Sequence, residues 1–228
     1  DALILLSDGT IHAGVGKSMT FGWPWKDIAE FVVRQREHAI SSIRLAAAVC
    51  EECDKLYEGK PGDDTTVAVM QIIDRRPVHL MTGPPVDRDD DERIISEFMK
   101  DETASRIVSG GTSATILSRE LGRPLKVSMD YTDPEIPPIA YMDGIELVTE
   151  GVLTLSRVVD ILNRFVEKKD LSYDFFKELD KNNGASMLAK ILIEDCTELN
   201  LYVGKAINSA YQNPGLPFDL GIRQNLVR

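Results

Sequence analysis

Cysteine is scarce: the 228-residue chain has three, at positions 50, 53 and 196. An odd count without regular spacing excludes the disulfide framework of a small secreted domain and fits a reducing cytoplasm. No second C-x-x-C and no paired histidines accompany Cys50 and Cys53, so zinc would lack about two of the four ligands it needs. The three-residue step between them, inside a helical run over 42–57, places both thiols on one helix face, which reads as a buried face. Histidine is equally sparse. His12, His38 and His79 are isolated from one another, and neither a Ser-His-Asp nor a Cys-His set stands out. No apolar run is long enough to cross a membrane, and no signal peptide is visible. Aromatic residues make up only 7% of the chain, but the 43% hydrophobic content is ordinary and excludes wholesale disorder. Internal repeats and low-complexity tracts are absent.

Positive charge is in deficit too. The formal net charge is −11. Residues 1–76 hold 12 acids and 9 bases, and residues 77–228 hold 25 acids and 17 bases. Neither part offers a basic surface, so nucleic acid is excluded as the expected partner. The acidic balance speaks to solubility instead.

The periodicity predicts an α/β chain in two parts. Residues 2–6 read as a short, fully buried strand. Residues 13–22, rich in glycine, read as a loop. Helical spacing covers 25–35 and 40–57, the second run ended by Gly59-Lys60-Pro61-Gly62. Residues 66–73 alternate and are β-branched, which predicts a strand. Strand, helix, helix, strand leaves sheet edges unpaired. The missing partner is expected upstream of residue 1, since the sequence opens within a strand and without an initiator Met. The unpaired edges alternatively offer a homodimer contact. A boundary is expected at Arg75-Arg76-Pro77. Beyond it the pattern alternates: strands at 78–81, 106–109 and 125–129, helices from Asp89 through Lys100 and over 112–121, and a hairpin over 139–149 turning at Asp143-Gly144. Helices over 153–166, 173–180 and 185–194, a strand at 199–203 and a Pro/Gly turn at 213–217 complete the reading. This order predicts an α/β domain with a partly parallel sheet over 77–228, following an α+β sandwich fragment over 1–76.

Two motifs carry chemistry. Leu3-Ile4-Leu5-Leu6-Ser7-Asp8-Gly9 is answered 55 positions later by Gly62-Asp63-Asp64-Thr65-Thr66-Val67-Ala68-Val69. Each sets a carboxylate beside the end of an apolar strand. Each alone is an ordinary acidic turn, with Gly9 supplying positive φ. Together they place two or three carboxylates in one small unit. That arrangement costs several kcal/mol of repulsion unless a cation neutralises it. Hard oxygen ligands of this kind suit Mg²⁺ or Mn²⁺.

These segments, with Gly14-Val15-Gly16, Phe21-Gly22-Trp23 and Leu56-Tyr57-Glu58-Gly59-Lys60-Pro61-Gly62 between them, resemble the last two motifs of the metal-dependent serine/threonine phosphatases. The likeness is to the protein phosphatase 2C-like superfamily and, within it, to the branch typified by stage II sporulation protein E. It covers residues 1–74. The resemblance implies a β-sandwich holding two Mn²⁺ or Mg²⁺ ions and a phosphorylated protein as substrate. Asp8 and Asp63 would be metal ligands. Asp64 would stand beside them fixing the loop, and Gly9 would permit the turn. The family's earlier metal motifs have no counterpart here, so this chain is expected to be inactive alone, within a cytoplasmic parent phosphatase.

The remainder does not match that pattern. Its best candidate is Ser109-Gly110-Gly111-Thr112-Ser113-Ala114-Thr115, where a strand runs into a helix that opens with hydroxyl residues. Gly110, Gly111, Thr112 and Ser113 could present amides to an anion. The plain alternative is a tight turn with Thr112 or Ser113 as N-cap. A regulatory, ligand-sensing or protein-binding module is the rival reading of the chain. Asp130, Asp133, Glu135, Asp143, Glu146 and Glu150 read as scattered surface acids rather than a second metal site. His12, close after Asp8, could touch a substrate, but reads more readily as a loop residue.

Overall fold

The structure is a computed structural model and describes residues 1–37, 40–129, 133–167 and 171–206. The expected turn at 213–217, together with His38 and Asp130, lies outside the described residues. The fold is α/β. It divides into two compact units: Asp1–Asp74 with Asp170–Lys177, and Arg75–Lys169 with Glu178–Arg228. The division falls after Asp74 rather than after residue 76.

In the first unit, β1 (Ala2–Leu6) and β2 (Val67–Gln71) form a two-stranded antiparallel sheet in which Leu6 pairs with Val67 and Ala2 with Gln71. A four-residue helix, α1 (Asp8–Ile11), follows β1 directly. The helices α2 (Trp25–Glu37) and α3 (Ser42–Leu56) come next. The Ser41 hydroxyl accepts from the Arg44 amide at 3.4 Å and caps α3. Leu45, Val49 and Cys53 recur every four residues and turn one face of α3 into the core. There they meet Trp23, Ile28 and Val32, and the inner faces of the strands add Ile4, Leu6, Val67 and Val69. Trp23 meets Phe31 edge-on, with ring centroids 5.3 Å apart.

Residues 2–6 are not fully buried, contrary to their apolar reading. They alternate, and Leu3 and Leu5 are more than half exposed. A sheet packed on one face only makes every second residue an outward one, whatever its hydropathy. The C-x-x-C pair splits likewise: Cys53 is buried and Cys50 exposed. A three-residue step turns a helix by about 300°, enough to carry Cys50 off the edge of a narrow buried stripe.

The second unit holds a six-stranded mixed sheet in the order β5-β6-β7-β4-β3-β8. Its members are β3 (Pro77–Thr82), β4 (Ser105–Ser109), β5 (Lys126–Val127), β6 (Ala140–Met142), β7 (Ile145–Thr149) and β8 (Glu198–Val203). The four strands β7, β4, β3 and β8 are parallel, and β5 and β6 run antiparallel at one edge. β3 is buried at every position, as a central parallel strand must be. A single 3₁₀ turn (Arg88–Asp90) precedes α4 (Asp91–Met99), which leads to β4. The helix α5 (Gly111–Leu121) leads away from β4 and ends at Gly122, with φ +62°. After the β6–β7 hairpin come α6 (Val152–Val166) and α8 (Gly184–Lys190), with α7 (Tyr173–Leu179) between them in sequence, its residues through Lys177 belonging to the first unit. A helix expected over 185–194 is two pieces. α8, capped by Asn183 on the Ser186 amide at 2.9 Å, passes into a π-helical turn over Ile191–Asp195. Met81, Phe98, Val108, Ala114, Leu117 and Val148 form the core between the sheet and α4 and α5.

Candidate functional site

The paired register sets the end of β1 beside the start of β2, and the chain between them tightens the junction. Ser7 does most of this. Its amide donates to Thr66 O at 3.0 Å. Its hydroxyl donates to Asp64 O at 3.1 Å and accepts from the Thr66 amide at 2.9 Å. The two acidic segments are thus bonded to each other through one side chain. Asp8 then opens α1, where its charge complements the helix dipole, and its Oδ1 accepts from the Gly9 amide at 3.1 Å. Asp63 Oδ1 accepts from the Asp64 amide at 2.8 Å. All three carboxylates are exposed, and among the described residues none of them forms an ion pair.

The Ser-Asp-Gly segment is therefore a helical turn rather than an open one, and Gly9 serves differently from the sequence reading. Its φ is not positive. A Cβ on Gly9 would stand 2.4 Å from Asp64 O, so glycine is there to let two backbones touch. Tyr57, missed as a site residue, closes the arrangement from α3. It is 3% exposed, and its hydroxyl donates to Gly9 O at 2.9 Å. Burial raises the Tyr57 phenol above its ordinary value of 10.0, and the negative charges of Asp63, Cys53 and Asp8 add to this. Lys17 Nζ donates to Tyr57 O at 2.6 Å and also to Lys60 O, tying the 58–62 segment down. His12 stays exposed at the end of α1.

For a divalent cation the donor chemistry fits: exposed, unpaired carboxylates beside the Thr65 hydroxyl, whose buried Oγ1 has no hydrogen-bond partner. The number of donors does not suffice. Among the described residues no group of three or more His, Cys, Asp or Glu side chains could hold a metal ion.

In the second unit, β4 runs into Gly110, which is the N-cap of α5 with no side-chain cap bond. Neither Thr112 nor Ser113 caps the helix. Gly111 and Thr112 are exposed, whereas Ser113 is 2% exposed and its hydroxyl has no partner. The structure thus separates four residues that the sequence grouped. Several of the loop acids serve local structure instead. Asp133 Oδ1 accepts from the Glu135 amide at 3.0 Å, and Glu150 Oε2 accepts from the Leu153 amide at 3.1 Å at the start of α6. The 130–132 segment lies outside the described residues.

No helix among the described residues is long and apolar enough to cross a membrane. No protein-family model, no curated protein and no solved structure matches the chain.

Proposed function

We propose that the first unit supplies Asp8 and Asp63 as ligands to a Mn²⁺ or Mg²⁺ centre that hydrolyses phosphoserine or phosphothreonine on a partner protein. The observation that carries this reading is the Ser7 bridge. It holds two exposed acidic segments against each other at one end of a sheet, with oxygen donors of the kind a divalent cation takes. The remaining ligands come from outside the described residues, and this chain alone is inactive. Bound there, a metal pair would supply hydroxide at neutral pH and stabilise charge on the phosphoryl oxygens. This chain's part is positional. Asp8 and Asp63 hold, Asp64 fixes its loop through Asp63, and Gly9 and Tyr57 set the spacing.

In the intact gene product, Mn²⁺-dependent hydrolysis of a phosphopeptide is expected to disappear in Asp8→Asn and in Asp63→Asn. Unchanged turnover in both variants would remove the reading. Titration of this chain with Mn²⁺ in a calorimeter is expected to show only weak binding, as two carboxylates allow.

A regulatory role for the second unit is the companion reading, favoured by the buried, unpartnered Ser113 hydroxyl on its sheet's carboxyl edge.

A further inference from the structure

The connectivity of the second unit creates a topological switch. From β3 the chain moves through α4 to β4 and then to β7, always to the same side. It then returns past β3 to lay β8 on the other side. The connection that leaves β3 thus runs to one side while the chain that enters β8 arrives on the other, and a crevice lies at the carboxyl ends of these two strands. In open α/β sheets this is where small ligands bind.

A cavity of about 220 Å³ occupies that place. The ends of β3 and β8 meet over it with unusual closeness. The Gly204 amide donates to Thr82 O at 2.9 Å, and a Cβ on Gly204 would stand 2.1 Å from Pro84 O. Met81, Pro84, Ile95, Ile116 and Tyr202 give it apolar walls. Two polar side chains face it, one from the first turn of each flanking helix. Asp91 of α4 is 4% exposed, and its Oδ2 accepts from Arg119 Nη2 at 2.5 Å. Its Oδ1 has no hydrogen-bond partner among the described residues. Ser113 of α5 is 2% exposed, with an unpartnered hydroxyl. A buried hydroxyl without a partner costs about 1–3 kcal/mol. Such a residue on a cavity wall is accounted for by a ligand that satisfies it.

The wall chemistry selects that ligand. Among the described residues no Lys, Arg or His lines the cavity, and a carboxylate does. An anion would find no cation on these walls, where Arg119 already pairs with Asp91 from outside the lining, so the anion expected at Gly110–Ser113 has no counter-charge here. Asp91 Oδ1 can only accept, and Ser113 can accept or donate. The occupant must carry at least one N–H donor on a compact apolar body. A dry cavity of about 150 Å³ takes a benzene ring, so about 220 Å³ takes roughly ten heavy atoms. We propose that this cavity binds an uncharged, planar nitrogen heterocycle of nucleobase size. Its N–H group lies on Asp91 Oδ1, its neighbouring polar atom on Ser113 Oγ, and its faces between Ile116 and the Met81–Tyr202 side.

The test uses the whole chain with free adenine, guanine and uracil as probes, and benzoate as an anion of similar size. Binding is followed by ligand-detected saturation-transfer NMR and calorimetry. At least one base is expected to bind, benzoate to bind more weakly or not at all, and Ser113→Ala to weaken the base about three- to tenfold. Ser113→Ala removes an unsatisfied hydroxyl, so its melting temperature should hold or rise without ligand, and it decides the matter even if a cavity-filling Ile116→Trp fails to fold. Where Ile116→Trp folds, it should abolish binding. No base bound at about 1 mM would overturn the proposal, as would benzoate binding at least as tightly or Ser113→Ala leaving the affinity unchanged.

Discussion

Gly9 shows how much a single hydrogen can decide. A methyl group in its place meets a backbone oxygen at 2.4 Å, and neither partner is the free end of a side chain. Gly9→Ala is expected to push α1 and the Asp63–Asp64 segment apart at a cost of about 1–3 kcal/mol, read as a lower urea midpoint with an unchanged slope. Ser7→Ala removes one donor and one acceptor from the same junction and should cost about 1–2 kcal/mol. Equal stability of Ser7→Ala and the parent chain would mean the bridge does not hold the segments. Cys53 gives a pH signature. Burial, with the neighbouring Cys50 charge, pushes its thiol from 9.0 up to about 11. A group whose folded pKa is raised adds stability that is complete below its unfolded value and lost as pH climbs past it. Stability should therefore fall between about pH 9 and pH 11. Cys53→Ala, whatever its cavity costs at neutral pH, should flatten that decline in a series of denaturant melts. Tyr57, raised in the same direction, contributes a similar loss above about pH 10.

At the scale of elements, the open question is what fixes the amino ends of β3 and β8. Arg75 answers it with two bonds, Nε to Glu198 Oε2 and Nη1 to Asp101 Oδ2, both at 2.9 Å. The Arg75 guanidinium, then the Asn200 amide, hold the Glu198 carboxyl below its ordinary value. The Thr103 hydroxyl, then Arg75, do the same for Asp101. Depressed carboxyls stabilise above their unfolded values and lose that stabilisation as pH falls. Arg75 and Glu198 are exposed and Asp101 half-buried, so solvent screens these pairs and their effect on stability is small. Arg75→Met should move the Glu198 carboxyl resonance to titrate at higher pH in NMR, with little change in melting temperature. The junction of α8 with its π turn makes a second element-level case. Asn183 caps the Ser186 amide, and Asn183→Ala should cost about 1 kcal/mol. Periodicity could not show that the helix changes its bond pattern at Ile191, because the apolar spacing of a π turn differs little from that of an α turn over five residues.

The whole molecule carries an outward apolar face on its two-stranded sheet. Leu3, Leu5 and Met70 are 53%, 59% and 64% exposed. Contiguous apolar surface of this kind binds hydrophobic dyes. Leu5→Lys with Met70→Glu should lower anilinonaphthalene sulfonate fluorescence without lowering the melting temperature, since neither side chain is packed. Undiminished fluorescence would place the apolar surface elsewhere.

Sequence alone determined the element types, because hydrophobic period and turn residues are local quantities. β1, β2, the α2–α3 pair and the strand–helix alternation after Pro77 were all legible in that way. The antiparallel pairing of β1 with β2, which sets Ser7 and Gly9 against Asp64 and Thr66, was not fixed by the runs alone, since a parallel pairing would have set the two acidic segments at opposite ends. Other features depend on residues far apart in sequence, and tertiary structure decided those. Gly9 is small because Asp64 lies against it, not because of its own backbone angle. Residues 2–6 look buried but are half exposed, because hydropathy records what a strand could bury and not whether anything lies on both faces. Ser113 reads as a helix cap and is a cavity wall, since only the return of β8 past β3 encloses the space it faces.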